Sequence, residues 1–498
     1  MAYLPSSRSK VLFVCAIFFA FSGLLSTTAC GPGPRIYDYQ SIVSEFSGGA
    51  SLGDKSRTET FVPAMRPGTP EPPASPLTLD DAVVLALRNN PDRHQTMARV
   101  LQSRAMLEDA ESRFWPRLRV YTEYIQGDAP SSYLFKTIDA RRLPSRTDFN
   151  DPGWFENYET GIEATVNLFR GGRDVLAQKM AKEDIRIQEL GKEGVENELV
   201  ATIIDGYFTA LSSGNLVEIA GESVEVVKKQ LELTEVRFKA GGVLKSDVLS
   251  LQVRLARARE KLVGARSRHE KALAGLAVAM GLDPGKKVVL DENPHLALEL
   301  PSSYEDGLAH ALNHRPELAE LRRRLVKSRM ALDVARSRYL PTLDAVSSYY
   351  FDDPHFDYDM ERENWIAGLT LNWEIFTGFS RQARVRKAKA VIGEMIAADR
   401  KATNEISLDT KRAYLNLQEA EARVRVTETA VDQAKESLEL VRVEYEGGSS
   451  GVVRYLNAQL AWEEAMVHEL AARYARECAR ADLARALGYW ADTGRWVP

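Results

Sequence analysis

Strict alternation of apolar and polar positions is the clearest pattern in the chain. In YETGIEATVNLF, Tyr158, Thr160, Ile162, Ala164, Val166 and Leu168 share one side, with Glu159, Gly161, Glu163, Thr165 and Asn167 on the other. The pattern returns 207 residues later: Trp365, Ala367, Leu369, Leu371, Trp373 and Ile375 alternate with Thr370, Asn372 and Glu374. A period of two places alternate side chains on opposite faces of a strand, so each stretch predicts a strand with one apolar and one polar face. Residues 117–124 and 342–351 alternate more weakly and predict a second pair. The four strands are expected at about 116–126, 157–169, 341–351 and 364–376.

After each strand pair the period changes. Residues 171–239 and 378–446 run for about 69 residues with scattered Gly and no Pro, which predicts helices about 100 Å long at 1.5 Å per residue. In the second, Ala413, Leu417, Ala420, Val424, Val431, Ala434, Leu438, Val441 and Tyr445 keep the three-four spacing of a coiled-coil seam, with Thr427 filling one place.

These elements occur twice. SRFWPRLRVYTEY from Ser112 is nearly rewritten as SRYLPTLDAVSSY from Ser337, and at the same offset of 225 Asp81 matches Asp306 and Pro91 matches Pro316. Beyond Gly161 the offset is 207, through Tyr207 and Tyr414 to Gly281 and Gly488, so copy one carries 18 extra residues between 124 and 161. A period of about 200 residues is a duplication, not a solenoid of short repeats. Each copy reads helix, strand, strand, long helix, helix. Repeat one is expected at 77–285 with a helix hairpin at 171–281, a linker at 286–301, repeat two at 302–488 with a hairpin at 378–488, and a C-terminal tail at 489–498.

The N-terminus reads differently. Arg8 and Lys10 precede a 15-residue apolar run, Val11 to Leu25, shorter than the roughly 20 residues of a spanning helix and suited to a signal peptide at 1–29. LSTTAC then resembles a bacterial lipobox, which implies fatty acylation of Cys30, although Thr27 stands where that pattern has a larger aliphatic residue; the alternative is ordinary cleavage after Ala29 that leaves Cys30 a free thiol. Gly31 after it resembles lipoproteins sorted to the outer membrane. Residues 30–76 contain GPGPRIYDYQ and RPGTPEPPASP and read as an extended tether. With 65 basic and 70 acidic residues spread along the chain, no basic face argues for nucleic acid. Cys15, Cys30 and Cys478 have neither disulfide-framework nor zinc spacing.

Enzyme chemistry finds little support. His310 and His314 stand at i and i+4, but no Glu follows His310, and the twin positions are Leu85 and Asn89. Gly-rich phosphate loops and nucleophile elbows are missing from the sequence. Cys478 shares helical spacing with Val467, Ala471, Tyr474 and Ala481 and reads as a small buried residue. No cofactor is expected beyond the lipid on Cys30, and no metal site.

Strands of 9 to 11 residues flanked by aromatics are what an outer-membrane barrel needs. Trp115, Trp154, Tyr158, Tyr349, Tyr350, Trp365 and Trp373 surround these four. Four strands cannot close a barrel, because the smallest known have about 8, so a cyclic homotrimer is expected to pool its strands into a barrel of 12. The turns between paired helices are then the ends farthest from the membrane: Arg237, Gly241, Gly242, Lys245 and Asp247 in copy one, Gly448, Ser450 and Arg454 in copy two. An acidic stripe, Asp432, Glu436, Glu439 and Glu446, lies about 200° from the seam, where copy one has the mixed Glu225, Lys229, Glu232, Val236 and Lys239. Repeated three times, it would ring the pore with carboxylates and select cations.

From about 77 to 488 the chain resembles a TolC-family outer-membrane efflux protein. The resemblance rests on the SRFWPRL and SRYLPTL joints, on LFRGG and IFTGF after the second strands, and on RFKAGGVLKSDVLSLQ at a helix hairpin. VEYEGGSSGVVRYLNAQ departs from it, with Glu444 and Arg454 where copy one has Arg237 and Asp247. The resemblance implies a mixed α and membrane-β fold: a trimeric 12-stranded barrel continued by a helical tunnel into the periplasm, docking with a periplasmic adaptor and an inner-membrane transporter. The expected function is a passive outer-membrane channel for efflux or type I secretion. The alternative is a lipid-anchored periplasmic adaptor, which would have one coiled-coil hairpin and no duplicated membrane strands.

Overall fold

The computed structural model describes residues 76–355 and 362–491, apart from 295 and 297. The signal peptide, Cys30 and all but the last residue of the tether lie outside the described residues.

The two copies follow the same order of elements, with one extra helix in copy one. Copy one comprises α1 (Leu79–Asn89), α2 (Pro91–Ser112), β1 (Arg117–Gly127), α3 (Pro130–Asp139), β2 (Phe155–Phe169), α4 (Arg173–Lys239) and α5 (Lys245–Ala279). Copy two comprises α6 (Tyr304–His314), α7 (Pro316–Ser337), β3 (Thr342–Asp353), β4 (Glu363–Asn372), α8 (Ser380–Glu446) and α9 (Val452–Leu487). Its helices begin 225 or 207 residues after their twins, the two offsets seen in the sequence.

The larger departures from the expected elements each have a local reason. The opening helix of each copy is two helices. Asn90 and Arg315 adopt extended backbone, because the ring of the following proline disfavours the helical conformation in the residue before it. Asn90 then caps α2 by accepting from the amides of Asp92 and Arg93. The strand expected to reach 376 ends at Asn372, the partner of Thr342 at the start of β3; beyond it the Trp373 indole donates to the Tyr339 carbonyl. The extra residues of copy one are not a plain loop but carry α3.

The stretch at 286–301 is more than a linker, and 489 is not where structure ends. Leu77 exchanges backbone hydrogen bonds with Val289 and Asp291, and the buried Tyr207 hydroxyl donates to the Leu77 carbonyl at 2.7 Å. Its twin, Tyr414, donates to the Pro301 carbonyl at 2.7 Å. Trp490 is 2% exposed and its indole donates to Ala481. The core lies here, where α1, α4, the end of α5 and Trp490 bury one apolar cluster and α6, α8 and α9 bury its twin.

The strands form one antiparallel sheet in the order β1-β2-β3-β4. Each strand adjoins a helix, and those helices stand side by side in the same order, α2, α4, α7, α8. Ion pairs link neighbours: Arg93 with Glu196 at 2.6 Å, Lys327 with Asp184 at 2.6 Å, and Arg322 with Asp399 at 3.3 Å. Among the described residues no helix is long and apolar enough to cross a membrane.

Candidate channel wall and hairpin tips

The sheet keeps its two faces in phase across all four strands. Pairing sets Val120 against Ile162, Ile162 against Tyr349, and Tyr349 against Trp365, so the apolar sides fall on one face. That face is open in the single chain: Leu118 is 74% exposed, Ile162 50%, Trp365 73% and Leu369 69%. A whole sheet face of large apolar side chains is far beyond what a water-facing surface carries, so its natural solvent is hydrocarbon.

The opposite face is polar and internally bonded. Arg119 pairs with Glu163 at 3.1 Å, the Tyr121 hydroxyl donates to Glu159 at 2.6 Å, and the Asn167 amide donates to Asp344 at 2.5 Å. Such a face suits the inside of a water-filled barrel. The outer edges of the sheet, on β1 and β4, have no strand beside them among the described residues. Edge amides and carbonyls cost several kcal/mol each in hydrocarbon unless another strand pairs with them.

At the other end, α4 with α5 and α8 with α9 form two hairpins whose tips lie together. Val227, Leu251, Leu255, Val452 and Leu456 pack into one cluster between them. Tyr445 fastens the pair: its ring stacks on Tyr455 with centroids 5.3 Å apart, its hydroxyl accepts from Gln230 at 2.9 Å, and the Arg237 guanidinium lies over the ring at 5.5 Å. Burial, first of all, pushes the Tyr455 hydroxyl up in pKa. The turns are alike in backbone, with Gly241 and Gly448 at φ 78° and 79°. They differ in side chains as the sequence indicates: Arg454 pairs with Glu444 at 2.9 Å, whereas Arg237 reaches Tyr445 and Asp247 instead accepts the Leu244 amide at 3.2 Å, closing the start of α5. Gly242 and Ser450 lie in these same turns, and Lys245 opens α5. The role of Tyr445 as a link between hairpins has no sequence signal, since its spacing also fits the seam.

The seam positions of α8 are all buried or half-buried, while Asp432, Glu436, Glu439 and Glu446 are exposed. Beside the stripe, Arg442 of the adjacent row pairs with Glu439 at 2.8 Å and offsets that one charge. His310 and His314 stack with centroids 3.9 Å apart, and their Nδ1 atoms lie against the carbonyls of Leu487 and His310, so the rings do not converge on one point. Burial, reinforced by the nearby Asp205 carboxylate, pushes the Cys478 thiol up in pKa, away from reactivity.

Comparisons with known proteins agree with this geometry. The family model described as outer membrane efflux protein matches residues 82–282 and 307–489. Protein CyaE of Bordetella pertussis is 27% identical over 420 residues, covering 82% of this chain and 84% of that protein. The alkaline protease secretion protein AprF of Pseudomonas aeruginosa is 25% identical, covering 80% and 82%. Among solved structures, the CmeC outer membrane channel of Campylobacter jejuni shares the fold with a TM-score of 0.69 at 17% identity, covering 82% of this chain and 85% of that one.

Proposed function

Because the chain belongs to the outer membrane efflux protein family, we infer that three copies close one 12-stranded barrel in the outer membrane and continue it as a helical tunnel into the periplasm. The protein is an outer-membrane channel, and it conducts substrates passively for efflux or type I secretion. One observation carries this reading: a two-faced sheet with open outer edges, each strand continuous with a helix in a wall of the same order. A closed ring is the arrangement that leaves no edge in lipid. The adaptor alternative has no place for such a sheet.

The finer parts of the reading go further. A periplasmic adaptor, itself coupled to an inner-membrane transporter, docks on the paired tips, which are the ends farthest from the sheet. Cys30 carries the lipid, a second hold on a membrane that the barrel already occupies. The exposed acids Asp432 and Glu436, with Glu446, ring the tunnel near its periplasmic end and favour cations.

Cysteines at the tips test the docking. Lys245→Cys and Ser450→Cys should crosslink to a co-expressed periplasmic adaptor, and Ser131→Cys, at the opposite end of the molecule, should not. Crosslinking at Ser131→Cys alone would invert the topology and remove the tips as the docking site.

A further inference from the structure

The helix α3, present in copy one and missing from the sequence pattern of copy two, is strapped across the polar face of the sheet. Its Tyr133 ring meets Phe155 of β2 edge-on at 6.3 Å. Lys136 pairs with Glu159 of β2 and, at 3.1 Å, with Asp352 of β3. The Asp139 carbonyl accepts from Asn364 of β4 at 3.2 Å, and Ala140 is 2% exposed. Phe155, Glu159, Asp352 and Asn364 all belong to the polar set by register. The loop between β1 and β2 has therefore folded inward, over the barrel lumen, at the end away from the hairpin tips.

The other side of α3 carries Phe135, 68% exposed, and Ile138, 49% exposed, three residues apart and so on one face. Large apolar side chains aimed into a water-filled lumen want a partner, and the geometry supplies one. Strands about 4.8 Å apart and tilted about 40° give a 12-stranded barrel a radius of about 12 Å. A helix with its side chains is about 10–12 Å across. A helix lying on the wall therefore reaches nearly to the axis, where the same face arrives from the other two copies.

We propose that the α3 helices of the three copies meet through Phe135 and Ile138 on the barrel axis and close its extracellular mouth, with Lys136 between Glu159 and Asp352 as the latch that holds each to the wall. The proposal rests on the trimeric barrel inferred above. Opening then requires the helices to part, a second barrier besides the periplasmic end. The same contact sets what leaves: a cargo must displace three apolar side-chain pairs.

Two readouts on the full-length chain test it. With Cys478→Ala as background, Phe135→Cys should give a reducible covalent dimer of subunits under mild oxidation, absent without the new cysteine. For closure, Ser348→Cys places a thiol on the polar face below α3, and a 5-kDa maleimide is added to intact cells. Labelling should be at least tenfold faster when Phe135→Ser and Ile138→Ser are added, both exposed positions whose change leaves the fold alone. Single thiols at Phe135→Cys, or equal labelling rates, in a protein that still runs as a trimer, overturn the lid. Loss of the trimer itself in the unsubstituted protein would instead overturn the barrel on which it rests.

Discussion

Gly281 and Gly241 show how much a single position matters when the backbone geometry is held constant. Their φ angles are 75° and 78°, a region in which a side chain costs about 1–2 kcal/mol. A Cβ on Gly281 would stand 2.4 Å from the Asn89 carbonyl oxygen, against backbone that cannot swing away; one on Gly241 would meet nothing within 4 Å. Gly281→Ala should therefore cost roughly 1–3 kcal/mol more than Gly241→Ala, read as a lower dissociation temperature of the inferred trimer. Equal losses would show that the packing of α5 against the α1–α2 joint is not what the glycine serves. The pairing of Gly281 with Gly488, and of Tyr207 with Tyr414, was legible as a repeat in the sequence. Its meaning was not: what makes each glycine necessary is the approach of a chain segment nearly 200 residues away, and spacing carries no trace of that. Trp490 and Lys136 were missed for the same reason.

At the scale of elements, period decided what was legible. The seam of α8 and the two-faced β2 and β4 follow from spacings of three-four and two, because burial on one side forces them. The break between α1 and α2 follows from Pro91, whose ring holds Asn90 in extended backbone. The helix α3 is short, with its contacts shared among three strands, so nothing in its own ten residues announces the surface it covers. The acid stripe is legible from the difference between the copies; the offset of Glu439 is not, because Arg442 belongs to the next row of the helix. If Asp432 and Glu436 ring the tunnel, replacing both with Ser should lower cation preference in planar bilayers and relieve block by trivalent cations from the periplasmic side. Glu439→Ser should do less, its charge being already offset by Arg442. Unchanged reversal potential and block in the double variant, with a response to Glu225→Ser and Glu232→Ser, would move the pore lining to copy one.

At the scale of the whole molecule, the chain is a third of an object. Its sheet leaves an apolar face and two edges open, and its wall of four helices ends with α2 on one side and α8 on the other. The barrel and not the lipid should hold the membrane, so Cys30→Ser is expected to abolish incorporation of a labelled fatty acid while the protein stays in the outer-membrane fraction; its release would make the lipid the anchor and the sheet something else. The number of chains per particle tests the central claim most directly. Native mass measurement in mild detergent should find three copies of the 55.6 kDa chain, less the signal peptide, with the β signal intact. A stable single chain with that same β signal would mean that the open edges are satisfied without neighbours, and that the barrel is not shared.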